Sequence, residues 1–459
     1  MKKNGYRGKR VNVRRAEGNL SVTRPQVAGI DLGSKEHWVA CPPRGGEANV
    51  KTFGTTTPEL TALAEWLKAE GVVSVAMEST GVYWIPLYEL LEQQSIEVVL
   101  ADARQMKHVP GRKTDMIDCQ WLQLLHSCGL LRGAFRPADA FCRLRAVVRQ
   151  KATLVDEQAD WLRRMQKSLD QMNVRVHRAV SDISGTTGMA MIRAIVAGER
   201  DPKKLAALRN ERCARTPREM IEELTGNWRE DHLFNLKESL AMYDFILEHI
   251  ATYEAEIQRI LRELTPNPDV GPAPEPSNPN KKKLLRARGQ EPLRQALYAA
   301  CASDLTTIDG ISTATAEVVL CELGPDLSAF PTEGHFVSYL KLSPKLAISG
   351  GKPIRKRPHG TASTRVGAAL RMAALTLRNS QTALGGAYRH LARRKGPSVA
   401  VFATARKLAV LIYRMRRYGT AYVDEGLQAY EQRAQEAKLR VCKDIANQLG
   451  FKLIQQETA

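Results

Sequence analysis

Four carboxylates stand where they could hold metal ions. Asp31 closes the apolar run VAGID and Glu78 closes VVSVAME, while Asp115 and Asp118 sit three residues apart in KTDMIDCQWL, just behind the basic residues Lys107, Arg112 and Lys113. Two acids at that spacing share one face of a helix. An Asp-x-x-Asp pair at a helix start is ordinarily only a charge pair that favours the dipole. An acid that ends an apolar strand is harder to read as solvated surface. Drawn together, four carboxylates would repel and raise one another's pKa. Two Mg²⁺ ions held by oxygen ligands remove that penalty. Such a pair can stabilise both the attacking and the leaving oxygen of a phosphodiester.

The elements that would position these acids are legible. VAGIDLG, HWVACPP and VKTFG read as an antiparallel meander of three strands. TPELTALAEWLKAEG has helical periodicity with Thr57–Pro58 as its start. VVSVAMES is a buried strand, GVYWIPLYELLEQQS a helix, IEVVLAD another buried strand and MIDCQWLQLLHSCGLL a helix. The order β-β-β-α-β-α-β-α predicts a mixed sheet flanked by helices. With the first and fourth strands adjacent, Asp31 and Glu78 would point to one rim, at the strand ends where α/β sites form.

The expected domains run in chain order. Residues 1–25 form a basic arm and 26–143 the mixed-sheet domain. Residues 144–264 form a helical or coiled-coil region, whose two long amphipathic runs suit an antiparallel hairpin, an inter-subunit coiled coil or packing within one subunit. A proline-rich linker spans 265–298, a mostly helical domain 299–425 and a charged helical tail 426–459. In the C-terminal domain, LTTIDGISTATAEVVLCELG reads as a helix, a tight turn at Asp309-Gly310-Ile311 and a second helix. Such a helix-hairpin-helix presents backbone N–H groups to a DNA phosphate; a plain helical hairpin is the alternative. The helical stretch that follows from Ser398 is basic, with Arg406, Lys407, Arg414, Arg416 and Arg417.

Composition limits the partners. A net charge of +19 suggests a polyanion and salt-dependent affinity. At 6% aromatic residues, a large single-strand stacking surface is not expected. The eight cysteines include no Cys-x-x-Cys pair, which argues against zinc knuckles. Scattered thiols, no signal peptide and no long apolar run point to a cytoplasmic protein without a membrane span.

GIDLGSKEHWVA, AMESTGVYW and ADARQMKHVPGRKTDMIDCQWL resemble the three blocks of a RuvC-like DEDD domain, with an RNase H fold. They are similar to those of the bridge-RNA-guided insertion-sequence transposases, the "IS one-ten" group related to the Piv and MooV invertases. TTIDGISTATAEVVLCELG and FVSYLKLSPKLAISGGKPIRKR resemble the second conserved domain of that group. The resemblance covers roughly residues 26–130 and 300–420. It places Asp31, Glu78, Asp115 and Asp118 on the four acids of the DEDD site, ligands of two Mg²⁺ ions. It also implies a covalent serine nucleophile, at Ser349 in Ile348-Ser349-Gly350-Gly351, with Ser343 as runner-up.

A serine hydroxyl needs activation to act as a nucleophile. Two following glycines would let the backbone pass close to DNA, and Lys352, Arg355, Lys356 and Arg357 would hold phosphates beside it. Where the group carries a Lys-Arg-Gly-Asn-like step, this chain reads RKRPHG, which leaves Arg365 and Arg371 no role beyond general phosphate contact.

The expectation is a DNA transposase or recombinase that uses a guide RNA and forms a phosphoserine link. Its partners would be donor and target DNA and a non-coding RNA, and it would act as a dimer or tetramer at the nucleoid. Base pairing would then read sequence while the protein reads shape and backbone. The same residues allow two other readings. One is a junction nuclease with water as nucleophile, which needs the acids and no serine. The other is a nucleic-acid-binding protein without catalysis.

Overall fold

The computed structural model describes residues 21–78, 81–101, 115–211, 213–265, 271–276, 279–287, 289–343, 348–349, 352–353 and 364–452. The chain divides into two compact units at Arg136/Pro137. Most of the basic arm, together with Lys113, Arg355, Lys356 and Arg357, lies outside the described residues.

The first unit is built on a mixed sheet of five strands. These are β1 (Val27–Leu32), β2 (Glu36–Arg44), β3 (Glu47–Gly54), β4 (Ser74–Glu78) and β5 (Glu97–Ala101). Their order is β3-β2-β1-β4-β5. The meander β1-β2-β3 is antiparallel, as the sequence predicts. β1 and β4 run parallel with Ile30 opposite Met77, and β4 and β5 are parallel too. Helices α1 (Thr57–Ala69), α2 (Trp84–Gln93) and α3 (Asp115–Ser127) cover the sheet. This architecture fits an RNase H-like domain.

Strand alternation sorts the two faces. Ala28, Ile30, Val75 and Met77 join Leu60, Leu63 and Leu67 of α1 and Leu87 and Leu91 of α2 in one core. The alternate residues face the other way, where Ala76 and Ala101 meet Leu122 of α3. β5 is partly covered at its edge, where Ala134 N–H donates to Leu100 O at 2.6 Å. Covering an edge in this way leaves fewer unpaired backbone groups for aggregation.

The second unit is helical. Its first long helix is α4 (Asp139–Gln171), followed by the short helices α5 (Val176–Ala179), α6 (Thr186–Val196), α7 (Pro202–Ala207) and α8 (Pro217–Leu224), and then α9 (Glu230–Glu263). α4 and α9 pack together within the chain and run antiparallel. Arg143, near the start of α4, pairs with Glu256 and Glu263 near the end of α9. Met165 and Leu169 at the other end share a core with Leu236 and Leu240.

The proline-rich stretch departs from the expected linker in its described part. It ends in helix α10 (Pro279–Ala287) and docks on α11 (Glu291–Cys301). Gln295 accepts from Ala273 N–H at 2.7 Å, and Arg294 donates to Pro274 O. Leu285 supplies the reason, since it is buried, and half-buried Lys281 donates to Ile308 O at 2.9 Å.

The expected helix-hairpin-helix is also corrected. Its first arm is one 3₁₀ turn, Leu305–Thr307, and only the second is an α-helix, α12 (Thr313–Leu323). The turn between them packs Ile308 and Ile311 into the core, with Gly310 half-buried and Ser312 exposed. Gly310 takes φ +84°, and a Cβ there would lie 3.0 Å from Ala373 O.

The remaining helices are α13 (Glu333–Tyr339), α14 (Arg365–Thr376), α15 (Ala383–Lys395), α16 (Pro397–Tyr418) and α17 (Gly426–Gln448), the helical tail. A two-stranded hairpin, β6 (Ile348–Ser349) with β7 (Lys352–Pro353), lies between α13 and α14 in the chain.

Candidate active site

The register of β1 against β4 builds the first half of the site. Ile30 faces Met77, so Asp31 and Glu78 are the next opposed positions on adjacent strands. Asp31 alternates with Ile30, and Glu78 with Met77, so both fall on the α3 face of the sheet. Both are half-buried.

Helix α3 brings the second half. It crosses β1 at a glycine, and nothing larger would fit: a Cβ at Gly29 would lie 2.3 Å from both Cys119 O and Gln123 N. An isolated glycine in a strand core marks close backbone approach. That was the available signal, and the sequence reading passed over it. Gln123 also donates to Val27 O at 3.3 Å, a further tie between helix and strand.

Asp115 and Asp118 both lie in the first turn of α3; Asp118 is half-buried and Asp115 is exposed. Buried Cys119 reports on the local field. Burial pushes its thiol up to about 12, and the negative charges of Asp31 and Asp118 push in the same direction. Asp31 and Asp118 thus act on a common buried atom from two elements.

The structure places Asp31, Glu78 and Asp118 on one face at one end of the sheet, with Asp115 on the rim. All are oxygen donors at strand and helix ends, a donor set suited to a hard divalent cation. Among the described residues, no three His, Cys, Asp or Glu side chains are gathered closely enough to hold a metal ion. The oxygen chemistry of the set is the kind that suits Mg²⁺.

The expected nucleophile is in the other unit. Ser349 lies in β6, its backbone paired with Lys352 of β7, so it sits at the turn end of a β-hairpin. Ser343 is half-buried just before the hairpin. Arg406 and Lys407 lie exposed on α16. Partial burial of the charged end, and then the charge of Arg433, hold Lys407 below its ordinary pKa.

Two neighbours on α16 have structural duties instead. Arg414 pairs with Glu333 at 2.9 Å. Arg416 donates to Cys301 O at 2.7 Å and to Ser303 Oγ at 3.0 Å.

The sequence reading also passed over the bonds between α4 and α12. Lys151 Nζ donates to both carboxylate oxygens of Glu317, at 2.8 and 2.7 Å, and both residues are buried. Arg149 forks onto Glu322 with two contacts of 2.7 Å.

No helix among the described residues is long and apolar enough to cross a membrane. No curated protein matches the chain. Two family models do. Residues 28–174, which hold all four acids, match a DEDD transposase model of the IS110 group, described as "Transposase". Residues 302–389, which hold Ser343 and Ser349, match the model described as "Transposase IS116/IS110/IS902 family". Together the matches span just over half of the chain, and the chain belongs to the IS110 family of insertion-sequence transposases.

Proposed function

We propose that this transposase cuts and exchanges DNA strands through a phosphoserine intermediate, in a Mg²⁺-dependent reaction directed by a guide RNA. The observation that carries the reading is the opposition of Asp31 and Glu78 on β1 and β4, facing the helix that begins with Asp115 and Asp118. Asp31, Glu78, Asp115 and Asp118 would hold the ions. When bound, Mg²⁺ supplies positive charge that polarises the phosphodiester and offsets the repulsion among the four acids.

The protein's part in the chemistry is nucleophilic. Ser349 Oγ attacks the scissile phosphorus and gives up its proton. The bond from phosphorus to the leaving DNA oxygen breaks, and that oxygen takes a proton. One phosphodiester is exchanged for another, so bond energy is kept for rejoining. A DNA hydroxyl then attacks the phosphoserine and releases Ser349. The acids and the serine belong to different units of the chain, and the reading has a dimer or tetramer bring them to one phosphodiester. Lys113, Lys352, Arg355, Lys356, Arg357, Arg406 and Lys407 would hold phosphates along the way.

The test is a denaturing gel of protein incubated with guide RNA, labelled donor and target DNA and Mg²⁺. A covalent protein–DNA band in the wild type, lost in both Ser349→Ala and Asp115→Ala, is the expected result. Cleaved DNA without such a band would overturn the serine mechanism in favour of water. A band that persists in Ser349→Ala and vanishes in Ser343→Ala would move the nucleophile to Ser343.

A further inference from the structure

Between Glu333 and Asp424 the chain has no acid at all, against 18 lysines and arginines. Helices α14, α15 and α16 all lie within this stretch. Several of its arginines are already engaged: Arg414 with Glu333, Arg416 with backbone carbonyls, and Arg389 with Ser380 O at 2.5 Å. Others remain on an outer face formed by α14 and α16, which pack on each other.

That face is apolar as well as basic. Met372 is 64% exposed and Leu375 43% on α14, and Val399 is 49% and Phe402 39% exposed on α16. Residues at steps of three and four share one helical face. Phe402 is therefore aligned with Val399 and with Arg406, and Met372 with Leu375. The Arg371 guanidinium lies over the Phe402 ring, 5.1 Å from its centroid, and joins the two helices across the face.

We infer that this face binds an unpaired DNA strand, with bases against Phe402 and Met372 and phosphates on Arg371 and Arg406. A basic face whose own helices carry no acid favours a polyanion. The outer wall of a duplex offers phosphates but leaves exposed apolar side chains uncovered. An unpaired strand offers phosphates and base faces together, the combination that aromatic and basic grooves for single strands use. The surface is small, with one ring, in keeping with the low aromatic content. Strand cleavage and exchange set free such a strand, so its role in transposition rests on the proposed function. The binding itself does not.

The experiment measures fluorescence anisotropy of the full chain with a labelled 12-nucleotide DNA strand and with a DNA hairpin duplex, across a salt series in EDTA. Phe402→Ala is expected to weaken single-strand binding about 5- to 100-fold, with unchanged salt slope and unchanged duplex affinity, and Phe402→Trp to restore it. Arg406→Ala is expected to reduce the single-strand salt slope by about 0.7.

Met372→Glu places an acid on the exposed face without opening a cavity, and it should weaken single-strand binding even if Phe402→Ala fails to fold. The assay runs in EDTA and reads binding alone, which separates this face from the catalytic reading. Equal loss for duplex and single strand, unchanged binding in Phe402→Ala and Met372→Glu, or a tenfold preference for an RNA strand of the same sequence would each overturn the inference.

Discussion

Gly29 of β1 and Cys119 of α3 approach so closely that a Cβ on the glycine would lie 2.3 Å from the cysteine's carbonyl oxygen. This contact sets the distance between the strand that carries Asp31 and the helix that carries Asp118. Backbone stands on the far side of it, so no rotamer change can make room.

Gly29→Ala should therefore push α3 off the sheet. Overpacking in a tight core costs about 1–3 kcal/mol, and a clash with backbone belongs at the upper end. The expected outcome is a lowered melting temperature of the first unit together with loss of strand cleavage. A Gly29→Ala protein with wild-type melting and wild-type cleavage would show that α3 can reseat without cost to the acids.

Asp31→Asn and Glu78→Gln keep shape and remove charge. Each should reduce Mg²⁺-dependent cleavage by at least about 100-fold, the order found when one preorganised charge-stabilising group is removed. Cleavage assays paired with thermal melts check both. A large fall in melting temperature would mean that the acids are structural.

Lys151 and Glu317 join α4 to α12 in a buried ion pair. Burial pushes the Glu317 carboxyl up, and the Lys151 ammonium only partly offsets this. Removing one partner leaves a buried charge unpaired, so Glu317→Gln should cost roughly 3–5 kcal/mol, while the double change Lys151→Met with Glu317→Leu should be nearly neutral or stabilising. Denaturant unfolding of the three variants tests this. A single variant as stable as wild type would mean that water reaches the pair.

Arg406 and Arg416 stand on the same helix and should respond differently. Arg416→Ala strips two carbonyl ties and one hydroxyl tie from the body. It should destabilise the second unit by about 1–3 kcal/mol. Arg406→Ala should leave stability unchanged. Chemical denaturation distinguishes them, and equal effects would undo the assignment.

Lys281 gives a pH signature. Burial depresses its ammonium to about 8 from an ordinary 10.5, against the pull of Asp309 and Asp304. The folded state thus binds fewer protons than the unfolded state between those values, and stability rises with pH there. The cost is fully present below about 8 and is relieved as pH climbs towards 10.5. Lys281→Met should flatten the stability profile between pH 8 and 10, read by melts across that range. An unchanged slope would show that Lys281 stays protonated.

Much of the first unit was legible because its strands and helices obey local periodicity. VAGIDL, SVAME and EVVLA are apolar runs of strand length, and α3 carries buried residues at helical spacing. The ends of those runs placed Asp31, Glu78, Asp115 and Asp118 without any structure. Periodicity also found α4 and α9 but could not say what they pack against, since either partner would look the same along the chain. Their pairing is settled by contacts such as Arg143 to Glu256, 113 residues apart in sequence.

The turn at Asp309-Gly310-Ile311 was legible, but the length of its first arm and its packing were not. Its local chemistry allows a phosphate-binding hairpin, but Ala373 and Leu377 close over Gly310. The face of Met372 and Phe402 was likewise invisible, because it takes two helices, each unremarkable alone, to set an exposed ring beneath an arginine. The elements and the residues that end them follow from neighbours a few positions away, so the chain's own order was enough to find them. Which backbones touch and which arginines bind carbonyls depend on burial and on partners far off in the chain, so they emerge only once the chain is folded.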